Sequence, residues 1–191
     1  MEKDRVLAFS DGVIAVIITI MVLELRPPHD NMLEGLRHVA PVFFSYVLSF
    51  LYVAIYWNNH HHMMATAERV NGGILWANLH LLFWLSLVPF TTAWMGETGG
   101  SWPMATYGVV LLMSAIAYYI LQTLLVREHG EANVLKQAIG SDWKGKLSPL
   151  AYIAGIGLSF VAPLIAQAIY LGMALIWLVP DRRIEKAVAE E

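Results

Sequence analysis

The residues with the clearest chemical potential lie at the start of the first apolar segment of the chain. Arg5, Phe9, Ser10 and Asp11 form an R-x-x-x-F-S-D motif, and an apolar run follows over residues 12–25. Ionisable groups are costly at membrane depth, and those that occur there usually face protein or water and serve a function. The motif therefore indicates either an ion or proton site or a polar contact that holds the first segment against its neighbours.

The composition places these residues in a membrane protein. Apolar residues make up 58% of the chain and charged residues only 14%, with a mean hydropathy of +0.56. A soluble domain of this length carries far more charge. The net charge of -3 gives no support for a nucleic-acid partner, and the lack of cysteine excludes thiolate metal sites and thiol nucleophiles.

The elements that must position the motif are membrane-spanning helices. A spanning helix needs about 20 apolar residues. The last apolar stretch, residues 147–179, is too long for one crossing, and Pro163 near its middle predicts a hairpin of two short helices. The chain is therefore predicted to be one domain over residues 1–191, with a cytoplasmic linker over 127–146. The six predicted spans are residues 6–25, 39–57, 74–95, 104–126, 147–161 and 163–179.

The distribution of positive charge supports six spans and gives an orientation. With the N-terminus in the cytoplasm, ten of the twelve lysines and arginines fall on the cytoplasmic side, as the positive-inside rule requires. Five spans would place Arg182, Arg183 and Lys186 outside. We therefore expect a multi-pass protein of the cell membrane with both termini in the cytoplasm.

Helical geometry separates the motif from the residues that follow it. Each residue turns a helix by about 100°, so Thr19, Ile20 and Leu23 lie within about 60° of Val16 on one stripe. Asp11 lies about 140° from Val16. If the stripe faced a pore, Asp11 would face neighbouring helices. Spacing alone is equally typical of a face that packs against lipid or the bundle.

A buried Asp11 would need hydrogen-bond donors, because an unsatisfied polar group in hydrocarbon costs several kcal/mol. The end of the second span and the third span carry histidine, asparagine and tryptophan at the level where Asp11 enters the membrane. The motif would then be a structural latch between helices. The candidate partners of Asp11 are His60, His61, Trp76, Asn78 and His80.

The run His60-His61-His62 also raises the possibility of a metal site. Neighbouring side chains on a helix point about 100° apart, whereas zinc ligands usually have wider spacings such as i and i+4. We therefore expect a hydrogen-bonded or interfacial cluster, with no metal and no cofactor. The sequence has no G-x-S-x-G, H-E-x-x-H or P-loop motif, so we predict no catalytic residues and no enzyme activity.

The R-x-x-x-F-S-D motif and the apolar run after it resemble the first span of the transmembrane protein 175 family. This family includes a lysosomal potassium channel with two six-span repeats and bacterial relatives with one repeat, and the chain is similar to the bacterial form. The other matching pieces are Tyr56-Trp57 with Asn59-His60-His61, Trp76-x-Asn78-Leu79, Pro89-Phe90 and the ending Trp177-Leu178-Val179-Pro180-Asp181-Arg182-Arg183.

The resemblance implies an all-α membrane protein that forms a homotetrameric channel, with six helices per subunit and the first helix lining the pore. It implies a pore without a carbonyl selectivity filter, constricted at Val16, Ile20 and Leu23, with the Thr19 hydroxyl offered to the ion. The implied partners are potassium and other monovalent cations, conducted with modest selectivity, together with further copies of the chain and the lipid bilayer.

Three other interpretations remain open on the sequence. Asp11 and the histidines could form the relay of a proton-coupled transporter, or conduct protons through a channel. A membrane metalloenzyme could use His60, His61 and His62. Glu24, at the end of the first span, either raises the cation concentration at a pore mouth or is simply solvated or paired with Arg26.

Overall fold

A computed structural model describes residues 2–28, 33–129 and 143–178. The described chain folds into α-helices joined by short connections, which confirms the predicted all-helical fold. The helices are α1 Lys3–Leu23, α2 Leu33–Ala65, α3 Gly72–Ser86, α4 Val88–Thr98, α5 Ser101–His129, α6 Trp143–Leu158 and α7 Pro163–Leu178.

Among the described residues, four segments are long and apolar enough to cross a membrane: Lys3–Leu23, Leu33–Ala65, Gly72–Thr98 and Ser101–His129. The shorter α7 is also apolar. Pro163 begins α7, where the missing N–H of proline costs no hydrogen bond. The pair α6 and α7 occupies the segment for which the sequence predicts a hairpin of two short helices.

The largest differences between the predicted and observed boundaries concern the second span and the linker. Helix α2 extends past the predicted span 39–57 at both ends, so the three histidines lie inside a helix. In the predicted linker 127–146, residues 127–129 end α5 and residues 143–146 begin α6. The described residues do not include residues 130–142 and 179–191. The second of these ranges contains the end of the sixth predicted span and most of the family-like ending of the chain.

The third predicted span, residues 74–95, is two helices instead of one. Pro89 has no N–H and its ring crowds the carbonyl of the residue four positions earlier, so the helical run is interrupted at Leu87. There the hydrogen bonds change register: the Leu87 N–H donates to the Trp84 carbonyl at 3.2 Å, and the Thr91 N–H donates to the Leu87 carbonyl at 3.1 Å. The segment remains one membrane-length run of helix with a break in its middle.

The described part of the chain has two buried apolar clusters, and α5 contributes to both. The first joins α1, α2, α3 and α5, and the second joins α2, α5, α6 and α7. In the second cluster the Tyr170 ring lies against Gly108 and Gly155, where an added Cβ would collide with it. Small residues at such contacts let helices approach closely in membranes.

Contacts between helices define the two ends of the bundle. The Lys3 ammonium donates to the Ala65 carbonyl at 3.0 Å, so α1 begins where α2 ends. The Asn71 amide donates to Glu128 at 2.6 Å, so α3 begins where α5 ends. We call this the near end, and the end at which α1 terminates the far end.

Candidate functional site on the first helix

Helix α1 contacts the rest of the bundle through one face only. Every third or fourth residue along this face is 3% exposed or less, as expected of a helix that packs on one side. The buried residues are Val6, Ser10, Ile14, Ile17 and Met21.

The stripe selected from the sequence lies on the other face. Val16 is 55% exposed, Ile20 43% and Leu23 76%. Thr19 is also exposed, and its position on the helix is about 180° from the middle of the buried face. The structure therefore brings the four predicted pore residues together on a surface that no other part of the described chain covers.

The Thr19 hydroxyl makes a hydrogen bond within α1. It donates a hydrogen bond to the Val16 carbonyl at 2.9 Å. This bond uses the single hydroxyl hydrogen and leaves lone pairs on the oxygen as acceptors. An exposed oxygen acceptor in an otherwise apolar stripe is a group that can contact a cation.

A groove runs between α1 and α4 beside this stripe. Phe9, Gly12, Val16 and Ile20 form the α1 side, and aromatic and proline side chains of α4 form the other. Two carboxylates, Glu24 and Glu97, line the groove at its far end. The α4 residues that line it include Pro89, Phe90, Ala93, Trp94 and Glu97.

The R-x-x-x-F-S-D motif is divided between the two faces of α1. Arg5 and Phe9 are exposed, and Phe9 lines the groove. Ser10 is fully buried and Asp11 lies at the border between the faces. Only the last two residues of the motif thus have side-chain hydrogen bonds to other helices in the described structure.

Ser10 is the first member of a buried chain of hydrogen bonds across three helices. Its hydroxyl donates to the Val6 carbonyl at 2.8 Å and accepts from the Asn78 amide nitrogen at 2.8 Å. The Asn78 amide oxygen lies 2.7 Å from His60 Nε2. Because that oxygen can only accept, His60 carries its hydrogen on Nε2. Asn78, which lies on α3, therefore links α3 to both α1 and α2.

Asp11 has a different partner from those predicted. The Trp57 indole N–H donates to its carboxylate at 2.9 Å. His60 and Asn78, both proposed as partners of Asp11, bind to each other instead, and Asn78 also donates to Ser10. The reason is the helical turn of about 100° between residues 10 and 11, which points Ser10 into the bundle and Asp11 towards the side of α2.

The other candidate partners of Asp11 have their own contacts or face outwards. The His61 ring lies 5.9 Å from the Trp57 ring, centroid to centroid. His80 accepts a hydrogen bond from the Trp84 indole at 2.9 Å, and Trp76 is 75% exposed. Among the described residues, no group of three histidine, aspartate or glutamate side chains is placed to hold a metal ion.

The sequence did contain a signal for the buried role of Ser10. Ser10 shares the spacing of Val6, Ile14 and Ile17, which is the pattern of a packed helix face. The choice of Trp57 as the partner of Asp11 had no comparable signal, because it depends on how α1 and α2 are rotated against each other.

Removing the Asp11 carboxylate is expected to weaken the packing of α1 on α2. We predict that Asp11→Ala lowers the free energy of unfolding by about 1–2 kcal/mol, because the charge-assisted hydrogen bond from Trp57 is lost. Thermal unfolding monitored by size-exclusion chromatography measures this change. Asp4→Ala, which removes an exposed carboxylate from the first turn of the same helix, is the control. Unchanged stability with an altered ion selectivity would show that Asp11 faces the ion path.

Comparison with known proteins identifies the family. A family model described as endosomal/lysosomal potassium channel TMEM175 matches residues 5–89, which include the motif, the Trp57 contact and the Ser10 network. A potassium channel of Chryseobacterium sp. is 54% identical over 191 residues, which cover 100% of both chains. The chain belongs to the TMEM175 family.

Two further TMEM175-related proteins extend this result. A potassium channel of Streptomyces collinus is 32% identical over 188 residues, covering 87% of each chain. The crystal structure of a lysosomal potassium-selective channel TMEM175 homologue from Chamaesiphon minutus has a TM-score of 0.81 to this chain. It is 24% identical and covers 94% of this chain and 97% of that chain. The structural match shows that the TMEM175 fold extends over nearly the whole chain.

Proposed function

We propose that the protein is a potassium-permeable cation channel in which four copies of α1 surround a pore on the symmetry axis. The observation that carries the proposal is the exposed stripe of α1, where an acceptor hydroxyl lies among apolar side chains on the face that the described residues leave uncovered. The names of the bacterial relatives, which are potassium channels, support potassium as the ion.

The apolar members of the stripe would form the constriction. Val16, Ile20 and Leu23 lie within eight residues, which rise about 10 Å along the helix. Rings of such side chains around a narrow axis expel water, and a dry neck blocks ions until it widens. The pore would thus be closed by dewetting, without a gate made of charged groups.

Thr19 would supply the polar contact within this neck. With its hydrogen committed to the Val16 carbonyl, each hydroxyl presents oxygen lone pairs, and four copies make a ring of acceptors. Such a ring replaces part of the hydration shell of a monovalent cation. One ring of oxygens gives fewer ligands than a multi-site carbonyl filter, so we expect modest discrimination between potassium and sodium.

The far mouth of the pore would carry negative charge. Glu24 and Glu97 both line the far end of the groove between α1 and α4. In a tetramer they would form a ring of up to eight carboxylates. Their negative potential raises the local concentration of cations and steers them to the mouth.

The function is tested by recording from the purified protein in planar bilayers. A channel gives ohmic single-channel currents that reverse at the potassium equilibrium potential when a potassium gradient is imposed. Saturable uptake that requires a proton gradient would instead establish the proton-coupled transporter. Currents that follow the proton gradient alone would establish a proton channel.

Thr19→Val is expected to reduce potassium selectivity while the neck keeps its size. Valine has nearly the shape of threonine but no oxygen, so the acceptor ring is lost. We predict a fall in the potassium-to-sodium permeability ratio to near one, measured from bi-ionic reversal potentials. Thr19→Ser, which retains the hydroxyl, is the matched control and should keep most of the selectivity. Equal ratios in the two variants would exclude the hydroxyl as an ion contact.

A further inference from the structure

A second groove lies at the far end of the bundle, between α2, α7 and the start of α5. It has a volume of about 770 Å³. We call it the α2–α7 groove and define it by six of its lining residues: Arg37, Phe44, Leu48, Leu164, Gln167 and Leu171.

The α2–α7 groove faces away from the candidate pore helix. On α2, Trp57 binds α1 and Val53 packs in the cluster that contains the buried face of α1. At about 100° per residue, Phe44 lies about 140° from Trp57 and about 180° from Val53 around the helix axis. The groove therefore opens on the side of α2 opposite α1, towards the periphery of any assembly built around α1.

Two polar side chains of the groove lie near the far end of the bundle, and the groove continues from there along apolar side chains of α2. Arg37 is exposed near the far end of α2 and makes no ion pair with another described residue. Gln167 lies in the second turn of α7, and its amide makes no hydrogen bond to a described residue. Leu51, at the deep end, lies 14 residues along α2 from Arg37, or about 21 Å.

This arrangement matches the shape and charge of a membrane lipid. We propose that the α2–α7 groove binds an anionic glycerophospholipid of the bilayer, with its phosphate at Arg37 and one acyl chain along Phe44, Leu48 and Leu171. Guanidinium binds phosphate with two parallel hydrogen bonds. A headgroup without the choline ammonium adds no second positive charge beside Arg37, which accounts for a preference for an anionic headgroup. The Gln167 amide is placed to donate to a headgroup or ester oxygen. The inference concerns the periphery of the bundle and does not depend on the proposed pore.

The test is native mass spectrometry of the purified full-length protein titrated with phosphatidylglycerol and with phosphatidylcholine. We expect wild type to bind phosphatidylglycerol more tightly than phosphatidylcholine, and Arg37→Gln to weaken phosphatidylglycerol binding about fivefold. Arg37→Lys should recover part of the loss. Arg26→Gln, which removes an exposed arginine at the same end but outside the groove, should bind as wild type. Ala168→Phe, which fills the groove, should also weaken binding.

Three results would overturn the proposal. Equal losses in Arg37→Gln and Arg26→Gln would show general charge attraction at the far end. Unchanged phosphatidylglycerol binding in Ala168→Phe would show that the lipid lies elsewhere. Since the chain has no cysteine, Ala168→Cys can be labelled with a benzophenone maleimide and photolysed in membranes; an adduct to a second chain would make the groove an interface between copies.

Discussion

Val16→Ala is expected to raise the resting potassium flux of the reconstituted protein about tenfold. The change removes two methyl groups from each subunit at the start of the proposed constriction, so the neck widens and holds water more readily. A tenfold rise corresponds to about 1.4 kcal/mol off the barrier to permeation. The flux is measured in liposomes from the dissipation of a potassium gradient, with the protein-to-lipid ratio held constant.

The chain offers a matched control on the same helix. Val22 is also an exposed valine, 45% exposed against 55% for Val16, but it lies about 120° away around the helix. Val22→Ala removes the same groups outside the stripe and should leave the flux unchanged. A larger flux through Val22→Ala than through Val16→Ala would mean that another face of α1 lines the pore.

Asn78→Leu is expected to produce the largest loss of stability among the polar substitutions. The change removes the acceptor of His60 Nε2–H and the donor to Ser10, and it leaves the His60 N–H buried without a partner. An orphaned buried donor costs about 1–3 kcal/mol, and interhelical hydrogen bonds in membranes contribute roughly 0.6 kcal/mol each. We therefore expect a decrease of about 2–3 kcal/mol in the free energy of unfolding.

This loss is measured by unfolding with sodium dodecyl sulfate in mixed micelles, followed by tryptophan fluorescence. Asn59→Leu is the control, because the Asn59 amide donates to the Ile55 carbonyl of its own helix at 2.8 Å and links no two helices. It should change stability by no more than about 0.5 kcal/mol. Equal stabilities of the two variants would show that the buried chain from Ser10 to His60 does not hold α1 in place.

The helical fold and the exposed stripe of α1 could be predicted because both depend on local regularities. Backbone groups in hydrocarbon must bond within their own segment, so a long apolar run indicates a helix. The position of Thr19 beside Val16 follows from the helical turn alone. The outward orientation of the stripe then follows once Ser10 is recognised as a member of the packed face with Ile14 and Ile17.

The differences between the predicted and the observed structure lie where hydropathy and helical spacing alone do not determine the outcome. Hydropathy falls after residue 57, but helical hydrogen bonding does not require apolar side chains, so α2 continues to Ala65. The prediction of one span over residues 74–95 did not take account of Pro89, whose missing N–H and bulky ring interrupt the helical run at Leu87. Likewise, the assignment of Trp57 to Asp11 and of Asn78 to Ser10 depends on the rotation and depth of three helices, which no single periodicity encodes.

The hydrogen bonds that tie α1 to other helices are unevenly distributed along it. In the described structure, the α1 side chains that make them are Lys3, Ser10 and Asp11, all in the near half of the helix. The far half is held by apolar contacts through Ile14, Ile17 and Met21, which have no preferred direction and allow small sliding movements. The near half of α1 is therefore fixed in position and direction, whereas the far half can move slightly against the bundle. The proposed constriction residues lie in this far half, so a small tilt of α1 about its near half would move Leu23 most and Val16 least.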